Sequence, residues 1–270
     1  MKIGTDREEH KLGTIINTNS DILILIDHHL DQQKLASLTK NNRQIFSKYS
    51  IHGTPSLKRG ILVLVKKSCG CKVINIKNSW ENDIMAFDII LPDMSIISTL
   101  AVYAPSHKDM PSFWEHVYHE ISQNNNENRL ILGDFNCTID HTMDSSGYKT
   151  DPHSKSRAVL KNWLENETFI DTFRHFHPDT KSFTIRTRDC KLKARLDYCF
   201  SSPSLISSVK QISHHSHNYV NTEHSSTIID IDFTNTPRGK GIFRCPPNAH
   251  IDITYQKLIK TRLKKQCLVV

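Results

Sequence analysis

The chain has 270 residues, a net charge of +7 and a pI near 9.0, and its mean hydropathy is −0.44. No apolar run approaches the roughly 20 residues of a membrane-crossing helix, and residues 1–20 hold no signal-type apolar segment, which predicts a protein without membrane contact, intracellular in nucleus and cytoplasm. Seven cysteines, odd in number and scattered, argue against a disulfide framework, and the basic balance favours a polyanionic partner such as nucleic acid.

In chain order, residues 7–16 have the spacing of a short amphipathic helix. Asp21–Ile26 is a continuous apolar run, read as a central strand that ends in Asp27-His28-His29. Leu35, Leu38 and Ile45 space one helix over 31–47. Gly60 opens a second buried strand, 61–65, closed by Lys66 and Lys67. Strands at 73–76, 84–90 and 95–103 follow with turns between them, a hairpin-rich succession rather than a βαβ alternation. Phe113, Val117 and Ile121 mark a helix before the apolar strand 129–132. That strand stops at Gly133-Asp134-Phe135-Asn136, and on extended backbone the acid and the amide two residues on would face one bound group. The bland alternative is an Asx-type turn.

Residues 140–152 read as a polar loop and 154–165 as a helix. Strands at 183–185, 195–200, 209–212 and 227–233 complete the pattern. Strands in runs, with helices inserted between them, predict an α/β sandwich of two mixed sheets packed face to face with helices outside. Composition shifts at 235–241, so the expected organisation is a domain over 1–234 and a basic linker and helix over 235–270.

Several strands end in a polar group: Asp27, Tyr103, Asp134 with Asn136, Asp197 inside Arg195-Leu196-Asp197-Tyr198, and Thr222-Glu223-His224 before the last strand. Convergence of such tips at one rim is how sandwich folds build sites. Singly, Asp197 reads equally well as a buried partner of Arg195, and Glu223 as a solvated loop acid. His28-His29 and His214-His215 invite a metal reading, but neighbouring strand residues face opposite ways. Cys69-Gly-Cys71 lacks zinc spacing.

In this order, 21–30, 60–65, 101–105, 133–136, 195–201 and 222–231 resemble the endonuclease/exonuclease/phosphatase (DNase I-like) family, most of all the endonuclease domain of non-LTR, LINE-type retrotransposons. The Thr184-to-Asp197 spacing and His177-Pro178 before Phe183-Thr184 look like that subgroup. Gly239–Arg244 with the following basic helix is similar to the segment that joins such a domain to its reverse transcriptase.

The resemblance implies a four-layered α/β sandwich and divalent-metal-dependent cleavage of phosphoesters, with Mg²⁺, or Mn²⁺ in its place, as the ion and DNA as the partner. No small-molecule cofactor is implied, and oligomeric state is left open. By position Asp27 and Glu223 match metal-side acids, and Tyr103 matches the phosphate-side tyrosine. Asp134 and Asn136 match the pair that handles water and phosphate, Asp197 the orienting carboxylate, His224 the catalytic histidine and Thr184 a residue on the substrate side. Lys66, Lys67, Arg186, Arg188, Lys191 and Lys193 are candidates to track a phosphate backbone.

The sequence departs from the family pattern in three places. The first strand, which delivers an asparagine, is not found before Asp21. Asp27 stands where the family has glutamate, and Glu223 where it has aspartate. An ion shifted towards the longer Glu223 would compensate for the shorter Asp27. The alternatives are a phosphomonoesterase on the same fold and a catalytically impaired remnant that binds nucleic acid.

Overall fold

The structure is a computed structural model that describes residues 20–56, 59–150, 153–216 and 223–233. All of these fall in the first of two compact units, 1–233 and 234–270. The expected helix at 7–16 and the expected linker and basic helix at 235–270 lie outside the described residues, as does Thr222.

The elements run β1 (Ile22–Ile26), α1 (Gln32–Asn41), α2 (Arg43–Phe46), β2 (Tyr49–Gly53), β3 (Ile61–Lys66), β4 (Lys72–Ser79), β5 (Ile84–Ile90), β6 (Ile96–Tyr103), α3 (Pro111–Ser122) and β7 (Arg129–Asp134). They continue with α4 (His141–Asp144), β8 (Ser145–Ser146), α5 (Ser154–Asn166), β9 (Ile170–Asp171), α6 (Thr172–Phe176), β10 (Ile185–Arg186), β11 (Lys193–Ala194), β12 (Asp197–Ser201), α7 (Pro203–Ile206), β13 (Val209–His215) and β14 (Ser226–Ile231). The helix expected over 31–47 is two, because the chain leaves helical geometry at Asn42, whose N–H and side-chain amide both bond the carbonyl of Leu38. Asp31 caps α1 by accepting from the Lys34 N–H. Strand β2 and helices α4, α6 and α7 were not anticipated: each is five residues or fewer, too short to show a period.

The largest sheet has the order β4-β5-β6-β7-β12-β9, with β6 and β7 parallel and the other pairs antiparallel. Others have the orders β1-β3-β2, β10-β11-β8 and β13-β14. Three apolar layers hold these parts together. Leu38 of α1, with Phe46 and Tyr49, packs on Leu23, Leu62 and Leu64 of the β1-β3-β2 sheet. The opposite face of β3 (Ile61, Val63, Val65) meets Met85, Phe87, Ile97, Ala101 and Leu130 of the large sheet, joined by Ile212 of β13. The far face of the large sheet (Leu100, Val102, Ile131, Phe200) packs on Phe113, Trp114, Val117 and Ile121 of α3 and on Leu160 and Trp163 of α5. The fold is thus a mixed α/β sandwich, and β3 reads as an unbroken apolar run because both of its faces are buried. Each buried large side chain in these layers stabilises the fold by roughly 1.5–3 kcal/mol.

Gly133 has φ +143°, and a Cβ there would strike the carbonyl oxygen of Val102 on the parallel neighbour β6. The absent side chain is what lets β6 and β7 keep their register up to the pair Tyr103 and Asp134. Gly133→Ala is therefore expected to lower stability by about 2–4 kcal/mol through forced separation of these strands, measurable as a fall in urea midpoint.

Candidate active site

The sheet register supplies the site's first row. Tyr103 pairs with Asp134 across β6 and β7, and Asp134 pairs with Asp197 across β7 and β12, so three side chains stand side by side at one sheet end. His224 reaches the row from the segment before β14 through a bridge with Ile185. Its Nδ1 donates to Oδ2 of Asp197 at 3.1 Å. Ligand atoms of Asp134, Asp197 and His224 all lie within 4.8 Å of one another. From the other sheet, Asp27 follows β1, and the hydroxyl of Tyr103 is hydrogen-bonded to its carboxylate. Asp27, Tyr103, Asp134, Asp197 and His224, separate in sequence, therefore share one rim.

Asn136 also stands there, though not on extended backbone. Its φ is +46°, its N–H donates to Oδ1 of Asp134 at 2.9 Å, and its side-chain amide donates to the carbonyl of Ala104 at 2.7 Å. The segment is the Asx-type turn, and the turn itself carries the site. Thr184 is fully buried rather than turned to a substrate. Its Oγ1 accepts the N–H groups of Leu196 and Asp197 at 3.0 and 3.1 Å, and its carbonyl accepts the N–H of Ser225 at 2.7 Å. One threonine thus ties the start of β12 to the residue after His224. The carboxylate of Glu223 is half exposed and lies 3.6 Å from Nε of Arg188. It faces the β10–β11 hairpin, so the imagined compensation of Asp27 by Glu223 has no support in the geometry. His29, passed over in the sequence because strand neighbours diverge, sits with Nε2 3.0 Å from Oδ1 of Asp27. Left-handed φ at both Asp27 and His29 brings the two onto one side.

Arg195 does not pair with Asp197. It is 1% exposed and binds Asp144 and Asp171, with Nε and Nη2 donating to Asp144 at 2.9 and 3.1 Å and two further bonds reaching Asp171 at 3.0 and 2.6 Å. Arg174 and the hydroxyl of Tyr198 also bond Asp144. Arg186, Arg188, Lys191 and Lys193 lie on the β10–β11 hairpin beside His224, whereas Lys66 and Lys67 close β3 at the end opposite Gly60, away from the rim.

Electrostatics mark the row as a reactive one. Burial, then the charge of Asp197, pushes the Asp134 carboxyl up to about 7. Burial disfavours the His224 cation, but the bond to Asp197 and the charge of Asp134 outweigh it and raise the ring to about 9. A carboxyl on the verge of ionisation beside a protonated imidazole is a base–acid pair at neutral pH.

A model described as the Endonuclease/Exonuclease/phosphatase family matches residues 8–234. The chain belongs to this family. Among solved structures, the chain is similar to an AP endonuclease from Archaeoglobus fulgidus (TM-score 0.69, 15% identity, 84% of this chain and 95% of that one). It is also similar to the 3'-5' exonuclease NExo from Neisseria meningitidis (0.65, 16%, 83% and 94%). A third is the endonuclease domain of TRAS1, a telomere-specific non-LTR retrotransposon (0.61, 14%, 85% and 94%). At these identities the likeness establishes the fold.

The donor set fits a divalent cation. Two carboxylates and an imidazole converge, and Asp134 is raised first by burial and then by the charge of Asp197, a pairing of acids that a cation between them would relieve. A carboxyl raised in the fold favours its protonated form, so its penalty on stability grows as pH climbs from the ordinary value near 4 to about 7 and persists above it. Asp134→Asn should therefore melt at a higher temperature than the wild type at pH 8 in EDTA. The gap should close at pH 4, and millimolar Mg²⁺ should stabilise the wild type alone.

Proposed function

We propose that this member of the Endonuclease/Exonuclease/phosphatase family is a divalent-metal-dependent phosphodiesterase that nicks DNA in the manner of a retrotransposon endonuclease, with Mg²⁺ as its ion and Mn²⁺ able to replace it. The observation that carries the reading is the row Tyr103–Asp134–Asp197 completed by His224. Asp134, poised near neutrality, takes the proton of the attacking water, and the turn at Asn136 fixes its Oδ1 for that task. His224, kept protonated by Asp197, donates to a phosphate oxygen and balances the charge that builds there. Tyr103, whose hydroxyl stays protonated because burial and two neighbouring acids oppose its ionisation, donates a second bond when its proton turns from Asp27 to the phosphate. A bound cation supplies further positive charge on the phosphate oxygens. It would be held by the carboxylates of Asp134 and Asp197, with Asp27 at the edge of the set, while the protonated ring of His224 stays on the phosphate side.

DNA is the favoured substrate because the hairpin next to His224 carries Arg186, Arg188, Lys191 and Lys193, a run of cations suited to a phosphate backbone. The three neighbours named above are all nucleases. A second reading is a nucleic-acid binder without turnover. It is favoured by one observation: Glu223, a metal-side acid by position in the family, faces Arg188 on the β10–β11 hairpin rather than the row of Asp134 and Asp197.

Supercoiled plasmid separates the readings. With Mg²⁺ or Mn²⁺ the protein is expected to nick, EDTA to stop it, and Asp134→Ala/His224→Ala to cut the rate about a hundredfold or more. Binding that survives EDTA with no nicking in either metal would select the second reading. Rapid turnover of a soluble phosphomonoester with intact plasmid would select a phosphatase.

A further inference from the structure

Beside the row of acids stands one arginine that the sequence did not single out. Arg59 directly precedes Gly60 and the strand β3, and its carbonyl accepts the N–H of His29 at 3.3 Å, so it faces the turn that presents Asp27. Its guanidinium lies over the ring of Tyr103, 5.4 Å from the centroid, and Nη1 donates to Oδ2 of Asp83. Asp83 is 4% exposed in its side chain and lies in the wall: its carbonyl accepts the N–H of Tyr103 at 2.8 Å. Arg59 itself keeps 32% of its side chain in solvent. Its charge also acts on the hydroxyl of Tyr103, pulling against burial, Asp27 and Asp134.

We infer that Arg59 is a substrate-contacting residue of the proposed phosphodiesterase site, binding a non-bridging phosphate oxygen next to the one held by Tyr103. This rests on the nuclease reading above. Three features carry it. The guanidinium has five N–H donors, and among the described residues it makes one hydrogen bond, to Asp83, so most of its donors remain for a ligand. It is anchored on two sides, by the ion pair below and the aromatic face beside it, and a partly exposed cation held this way is pre-organised for an anion. The rim gathers the carboxylates of Asp27, Asp134 and Asp197, so a phosphate entering there meets repulsion unless a fixed cation faces it. Arg59 also adopts φ +63°, a conformation that costs an L-residue and that occurs here at both Asp27 and His29 in the facing turn.

Removing Arg59 alone strands the buried carboxylate of Asp83, so the informative variant is Arg59→Met/Asp83→Asn, read against Asp83→Asn, with Arg59→Lys as the conservative change. The readouts are the thermal midpoint, equilibrium binding of a labelled 20-base-pair duplex in Ca²⁺ across a salt series, and plasmid nicking in Mg²⁺. Relative to Asp83→Asn, the double variant is expected to keep its midpoint, bind about tenfold more weakly, and lose about one from the slope of log affinity against log salt. Arg59→Lys should recover the slope and part of the affinity, since the charge remains but the fork is gone. A double variant that melts and binds like Asp83→Asn, with the same slope, overturns the assignment and leaves Arg59 a wall residue. Nicking that persists in Asp134→Ala/His224→Ala would instead overturn the nuclease reading, whatever Arg59 does.

Discussion

The ion network around Arg195 is the constraint on which the site depends. A guanidinium that is 1% exposed cannot be left without counter-charge, and here it is gripped by the carboxylates of Asp144 and Asp171. Those two acids come from the end of α4 and from β9, the strand that flanks β12, so the arginine gathers three separate segments behind the rim. Two residues further along the chain, Asp197 opens β12. The position of that carboxylate, and through it of His224, is inherited from a charge cluster buried behind the rim. Removing one partner from such a cluster typically costs 3–5 kcal/mol, because the others stay buried and uncompensated.

Thr184 adds a neutral clasp to this charged one. Its hydroxyl takes the N–H groups of Leu196 and Asp197, and its carbonyl takes that of Ser225. The acid and the histidine of the row are thus held to a common residue that is itself sealed from water. Site geometry of this kind tolerates errors of about half an ångström, and main-chain hydrogen bonds from both sides are a direct way to meet that tolerance.

Much of this was legible in the residues. The apolar runs of β3 and β7 announced buried strands, and the polar groups at the strand ends announced a rim. Strand β1, expected as a central strand, is instead an edge strand of the described sheet β1-β3-β2 with Leu23 alone buried, because an apolar run does not reveal a strand's place in its sheet. The amphipathic spacing of α3 and α5 was equally plain. What stayed hidden depended on backbone conformation or on tertiary pairing. Asn136 turns out of the strand at a left-handed φ, which a strand-alternation argument does not foresee. The same departure at Asp27 and His29 puts the histidine next to the acid. Glu223 sits one residue before His224, yet its carboxylate faces Arg188, because the bridge between Ile185 and His224 sets that segment against the β10–β11 hairpin. The burial of Arg195 had little sequence signal, since it stands between β11 and β12 and its partners lie 51 and 24 positions away.

The left-handed turn at Asp27 and His29 has a further consequence for how this rim can drift. Glycine or asparagine would relieve the torsional cost at either position, roughly 1 kcal/mol each, yet would delete the carboxylate or imidazole that faces the cleft. Robustness and reactivity pull in opposite directions at these two codons. A screen that selects only for heat resistance should therefore admit changes there that a screen for phosphoester hydrolysis would reject.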